Sequence, residues 1–169
     1  MPQLSLHTPV GDITVSQEDD AIVAVDWGWG RDQTETPVLL AARAQLQEYF
    51  DGERLEFDLK LAPAGTPYRQ RVWEALRQIP PGATRTYGDI ARAAGGGPRS
   101  VGGANGANPI PILIPCHRVV ASNGIGGYSG GDGLPTKEYL LALEARALAA
   151  RGIRPHAPRR PPGKQMDLL

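Results

Sequence analysis

Cysteine occurs once in this chain, as Cys116, among 169 residues. A single thiol excludes an internal disulfide and any cysteine-rich zinc site, and a free thiol suits a reducing compartment. No metal is expected. Also missing is any apolar run long enough to span a bilayer. Met1 to Val10 lacks the basic-then-apolar order of a secretion signal, so the expectation is a soluble, cytoplasmic protein. Net charge is absent as well, with 18 Lys/Arg against 18 Asp/Glu, but the zero conceals an asymmetry. Residues 1–65 carry 4 Lys/Arg and 12 Asp/Glu, whereas residues 66–154 carry 11 and 5. A basic half beside an acidic half suits a polyanionic partner, although a solvated basic face reads the same way. What the chain has in quantity is turn formers, 21 Gly and 16 Pro, which imply short elements in one compact domain or two small ones.

Three β-like runs open the chain: Leu4 to Leu6, Ile13 to Val15 and Ala21 to Val25. The turns Pro9 to Asp12 and Glu18 to Asp20 separate them into an antiparallel meander. Pro37 starts a helix that Asp51-Gly52 ends, with Leu39, Ala42, Leu46 and Tyr49 or Phe50 as its apolar stripe. Leu55 to Leu59 alternates cleanly and predicts a last strand of the same sheet. Thr66-Pro67 starts a second helix, lined by Tyr68, Val72, Trp73, Leu76 and Ile79. Thr86 caps a third, Tyr87 to Ala94, with Asp89 near its amide end. Gly95-Gly96-Gly97 separates it from a glycine-rich helix begun by Pro98. Glycine costs roughly 1 kcal/mol per helical residue, so a close approach to this backbone is one explanation. Two short helices around a Gly-rich turn outline a helix-turn-helix, and a slim helix with one arginine suits the minor groove.

The only thiol lies in Ile112-Leu113-Ile114-Pro115-Cys116-His117-Arg118-Val119-Val120. The run Ile112 to Ile114 reads as a short buried strand delivering Cys116 to the end of a core element. A thiolate is the reactive form, and a basic neighbour would raise its fraction. A lone cysteine also packs as an ordinary buried hydrophobe, and the dipeptide alone leaves both readings open. After the loop Gly126 to Gly131, a helix from about Pro135 to Ala150 carries Leu140, Leu141, Ala147 and Leu148. Glu144 falls inside that stripe. An unpaired buried carboxylate is costly, so it needs a partner, either His117 or Arg118.

The segment Pro115 to Val120 resembles the acceptor-site signature of the alkylguanine–DNA alkyltransferases. Thr86 to Ala91, Arg99 to Ala104, Asn108-Pro109, Tyr128 to Gly131, Lys137 and Glu144 resemble that family's motifs, in its order. The resemblance is strong over 66–150 and weaker over 1–60. It implies an α+β fold: a small N-terminal antiparallel sheet with a helix over 1–63, then a mainly helical, winged-helix-like domain over 66–152. A disordered basic Pro-rich tail, 153–169, follows.

The implied activity is irreversible transfer of an alkyl group from the exocyclic oxygen of guanine, or of thymine, in double-stranded DNA to the protein's own cysteine. It would follow base flipping and need no cofactor. The protein would be a monomer, spent after one turnover. Cys116 would be the nucleophile, His117 its base through a water, and Glu144 the support of the imidazole. Asn108 would order the backbone, and Tyr87 would assist extrusion and the departing guanine. Arg99 would fill the vacated stack, and Ser100, Gly102, Gly103, Ala104 and Asn105 would complete the DNA surface. Val119, Tyr128, Ser129, Gly130 and Lys137 would form the guanine pocket. Two other classes remain: a lesion-binding protein without chemistry, which the presence of Cys116 disfavours, and a thiol hydrolase with a Cys-His-Glu set.

Overall fold

The computed structural model describes residues 1–153. Strands β1 (Gln3–Leu6), β2 (Ile13–Glu18) and β3 (Ala21–Trp27) form an antiparallel sheet in that order. A bulge between Ser16 and Gln17 shifts the β2–β3 register. Helix α1 (Pro37–Phe50) buries Leu39, Ala42, Leu46 and Tyr49. The Thr36 hydroxyl caps it by accepting from the Leu39 N–H, with Pro37 in the first turn. Polar residues of the sheet are buried under the 28–34 segment. There the Ser5 hydroxyl lies 2.8 Å from that of Thr14 and accepts from the Gly30 N–H.

The strand expected at Leu55–Leu59 does not form. The stretch is irregular, though its alternation still turns Leu55, Phe57 and Leu59 inward. Gln45 of α1 takes the backbone bonds a neighbouring strand would have made, accepting from the Asp58 N–H and donating to the Asp58 carbonyl. Pairing begins only at Leu61, in a parallel bridge to Ile22.

The second half is built on α2 (Pro67–Arg77), α3 (Tyr87–Ala94), α4 (Pro98–Gly106) and α5 (Leu134–Ala150). Thr86 and Asp89 make a full capping box at the start of α3. Just before α3, β4 (Arg85–Thr86) pairs in parallel with β5 (Val119–Val120), the small wing beside the helices. Trp73 of α2 is buried and donates its indole N–H to the Ala104 carbonyl, tying α2 to α4. On α5 the buried stripe includes Leu143 where the sequence suggested Leu141.

Between α3 and α4 the chain turns through Gly95 and Gly96, at φ +95° and +75°. At Gly96 a β-carbon would stand 2.5 Å from the Ser100 hydroxyl and 2.7 Å from that of Tyr68. Gly96→Ala is therefore expected to cost more than about 1 kcal/mol, from a left-handed backbone and a clash together. Urea denaturation measures it, and an unchanged midpoint would refute the requirement.

The buried strand expected at Ile112–Ile114 is instead a tight turn, with Pro111 bridged to Ile114 and the Ile114 N–H donating to the Ile110 carbonyl. Ile112 sits at φ +73°, a strained conformation for a β-branched residue. Asn108 holds it there, donating to the Ile114 carbonyl and accepting from the Ile110 N–H, both at 2.9 Å. The basic tail expected over 153–169 lies, apart from Ile153, outside the described residues.

Candidate active site

The Asn108-braced turn ends at Pro115, and Cys116–Arg118 then form one turn of 3-10 helix with all three side chains buried. His117 points at Glu144 of α5, Nε2 to Oε2 at 2.8 Å, and both groups are fully buried. A carboxylate only accepts, so Nε2 carries the proton and Nδ1 is left as an acceptor. Nδ1 is buried and has no hydrogen-bond partner among the described residues.

Glu144 has more than one partner. Arg118 clamps it in a fork, Nε to Oε1 at 3.0 Å and Nη2 to Oε2 at 2.8 Å, while Nη1 donates to the Ile79 carbonyl. Tyr49 of α1 adds a fourth bond, its hydroxyl donating to Oε2 at 2.7 Å. Both partners considered from sequence are therefore present, together with one that sequence did not suggest. Tyr49 lay in a plain apolar stripe, and nothing local marked its hydroxyl.

Burial alone would raise the Glu144 carboxyl, but the charges and hydrogen bonds of His117 and Arg118 hold it well below the usual carboxylate range. For His117 burial wins over the pull of Glu144 and lowers the imidazole below its ordinary value. The ring is thus a neutral base at neutral pH. Burial also raises the Cys116 thiol, opposed by Asn108, Tyr128 and the charge of Lys137. The resting cysteine is therefore a protonated thiol, and its proton must leave during any reaction. Burial likewise raises the nearby Tyr128 hydroxyl, which lacks a partner of good hydrogen-bond geometry.

Cys116 opens onto a cavity of about 340 Å³, lined also by Asn108, Tyr87, Gly102, Asn105, Tyr128, Ser129 and Gly130, with Trp27 from the sheet domain. A second cavity of similar volume lies among Leu55, Phe57, Pro80 and Arg118, with no nucleophile in its wall.

Val119 and Lys137 do not line the Cys116 cavity. Lys137 is buried behind it and donates to the carbonyls of Val119 at 2.6 Å, Ile125 at 2.5 Å and Gly127 at 3.0 Å. Burial lowers its ammonium to about 8. Lys137 holds the loop that carries Tyr128 and occupies the Val119 carbonyl, so both residues support the pocket from behind.

Helix α4 also divides the residues grouped as a DNA surface. Arg99, Ser100, Gly103 and Gly106 are exposed, whereas Val101, Ala104 and Asn105 are buried. Consecutive small residues looked equivalent in sequence, but a 3.6-residue period sends Ala104 and Asn105 inward. Asn105 donates to the Cys116 carbonyl at 3.3 Å, so it serves the thiol turn. The Ser100 hydroxyl is engaged with Gly97 and Tyr68.

Two family models cover most of the chain: the 6-O-methylguanine DNA methyltransferase DNA-binding domain over residues 67–146, and that enzyme's ribonuclease-like domain over 4–63. The chain is 43% identical to the constitutive methylated-DNA–protein-cysteine methyltransferase of Bacillus subtilis, covering 82% of this chain and 92% of the relative. The chain belongs to the 6-O-methylguanine DNA methyltransferase family. It is 44% identical to the Mycolicibacterium paratuberculosis methylated-DNA–protein-cysteine methyltransferase over 84% of this chain and 91% of that one. Among solved structures, Mycobacterium tuberculosis OGT in complex with DNA superposes with a TM-score of 0.78 at 38% identity, over 87% of this chain and 94% of that one. A Methanococcus jannaschii O6-methylguanine DNA methyltransferase gives 0.61 at 29% identity, over 83% and 92%. As a 6-O-methylguanine DNA methyltransferase family member the chain is a DNA-repair enzyme, and the α+β architecture is that of its relatives. No helix among the described residues is long and apolar enough to cross a membrane.

Proposed function

We propose that this protein repairs double-stranded DNA in the cytoplasm, as a monomer, by moving an alkyl group from the exocyclic oxygen of guanine onto Cys116. The observation that carries the reading is a buried thiol facing an open-mouthed cavity, next to a neutral imidazole whose free nitrogen is an acceptor. The exposed side of α4, with Arg99 and the side-chain-free Gly103 and Gly106, lies in the minor groove, where small residues let the backbone come close. The damaged base leaves the stack at a cost of a few kcal/mol, least for a weakly paired lesion. Arg99 fills the gap, and the base enters the cavity past Tyr87.

His117 Nδ1 then takes the thiol proton through a water. The sulfur's electron pair forms a bond to the alkyl carbon as the carbon–oxygen pair withdraws onto guanine. Tyr87 hydrogen-bonds the leaving base, and the proton taken from the thiol returns to it. The products are an unmodified guanine and a thioether. A thioether has no easy leaving group, so one protein serves one lesion.

Incubation with DNA containing O6-methylguanine should add one methylene to the peptide bearing Cys116, with a plateau at one equivalent by mass spectrometry. Cys116→Ala should add none and still bind the lesion. Several turnovers per molecule would favour hydrolysis instead.

A further inference from the structure

Of the described residues lining the thiol cavity, only Trp27 comes from the first 63, and no motif in the sequence pointed to it. It ends β3, paired across the strand with Ile13 and followed by Gly28 at φ +115°, where the chain turns away. The edge of the same strand is fastened to the second half of the chain. The Val25 N–H donates to the Pro109 carbonyl at 2.9 Å, beside Asn108 and just before the thiol turn. The strand end is thus fixed against the backbone that presents Cys116.

The indole also meets the loop on the other side. A β-carbon at residue 130 would lie 2.7 Å from the indole nitrogen and 2.8 Å from Cζ2, so the ring occupies the space of a side chain at that position. Lys137 holds the carbonyls of Ile125 and Gly127 a few residues earlier, which limits how far this loop can recoil. Strand end, indole and loop therefore form one stiff wall. The cavity behind it, about 340 Å³, is at the small end of the ligand-pocket range of roughly 300–1,000 Å³.

We propose that Trp27 is a specificity-determining residue: its indole is the wall against which the transferred group must fit, and it limits the size of alkyl group that reaches Cys116. This rests on the alkyl-acceptor reading above. It assigns the sheet domain a part in substrate choice beyond support of the fold.

The test compares free guanine bases carrying a methyl or a benzyl group on the exocyclic oxygen, so that base flipping does not enter. Second-order rate constants for alkylation of Cys116 are read by mass spectrometry. Trp27→Ala should raise the benzyl-to-methyl ratio about tenfold or more, the scale on which a pocket wall discriminates by size. Trp27→Phe should fall between, and it carries the test if the alanine variant does not fold. Gly130→Ala, whose new methyl would push the ring inward, should lower the ratio. A ratio unchanged in both Trp27 variants, whether the two rates stay put or fall together, would overturn the proposal and leave the indole as packing or as a base-stacking surface. A wild-type protein that takes up no methyl group even from DNA containing O6-methylguanine would remove the alkyl-acceptor reading itself, a result distinct from an unchanged ratio.

Discussion

Arg118→Leu should cost about 3–5 kcal/mol of folding stability, the usual result of stranding one member of a buried ion pair. That is a large share of the roughly 5–15 kcal/mol by which a domain is stable. The leucine would fill part of the space but leave Glu144, fully buried, with only Tyr49 and His117. Either the carboxyl would take up a proton or His117 would be forced to carry charge. Replacing Glu144 by leucine in the same molecule should recover part of the loss, since two apolar groups are tolerated where one unpaired charge is not.

The pH dependence of stability gives a second readout. Glu144 is held below the carboxylate range, so its contribution is fully present above the unfolded value, about 4.3, and fades as pH falls toward the folded one. His117 acts in the same direction. Its imidazole is lowered by burial, so below about 6.5 the unfolded chain binds a proton before the folded chain does. Wild-type stability should therefore decline from about pH 6.5 downward. In Arg118→Leu the part below about pH 5 should flatten, because Glu144 has lost its fork. Urea midpoints between pH 7 and 4 measure this, and superimposable curves would remove Arg118 from the charge balance.

His117→Ala should slow alkyl transfer at neutral pH by roughly 100- to 10,000-fold, the range for a positioned general base. The need is acute here because burial raises the Cys116 thiol, leaving little thiolate to react unaided. In the wild type the rate should stay flat from neutral pH to below the ordinary imidazole value, then fall as His117 protonates at its lowered value. In the variant the residual rate should instead climb with pH, following direct ionisation of the thiol. Lesion binding should survive, since His117 is buried behind the thiol turn and does not line the cavity. A wild-type rate at pH 7 would dismiss the imidazole from proton transfer.

Where local chemistry decides structure, the sequence was readable. Pro37, Thr66-Pro67 and the Thr86–Asp89 pair each start a helix where the side chains alone said one would. Glu144, placed inside an apolar stripe, called for a buried partner, and His117 and Arg118 both meet it. Reading failed where a distant group decided the outcome. Alternation at Leu55–Leu59 correctly gave the inward face, but Gln45 had taken the backbone bonds that pairing would need. The apolar run Ile112–Ile114 favoured a strand until Asn108 bent it into a turn. On α4 the error was one of period, because the 3.6-residue turn carries part of a run of small residues round to the buried face. Tyr49 and Trp27 could not be assigned from local pattern at all, since each acts on residues about a hundred positions away.

The Tyr49–Glu144 bond joins residues 95 apart, so it also orders events during synthesis. Domains generally fold as units, the N-terminal one first, as the chain leaves the ribosome. The sheet and α1 can therefore be complete, with the Tyr49 hydroxyl in place, well before α5 exists. Until α5 emerges, His117 has no carboxylate to fix its tautomer, and Cys116 has no oriented base beside it. Reactivity is thus the last property the nascent protein acquires, and a chain that stops short of α5 carries the nucleophile without the means to activate it.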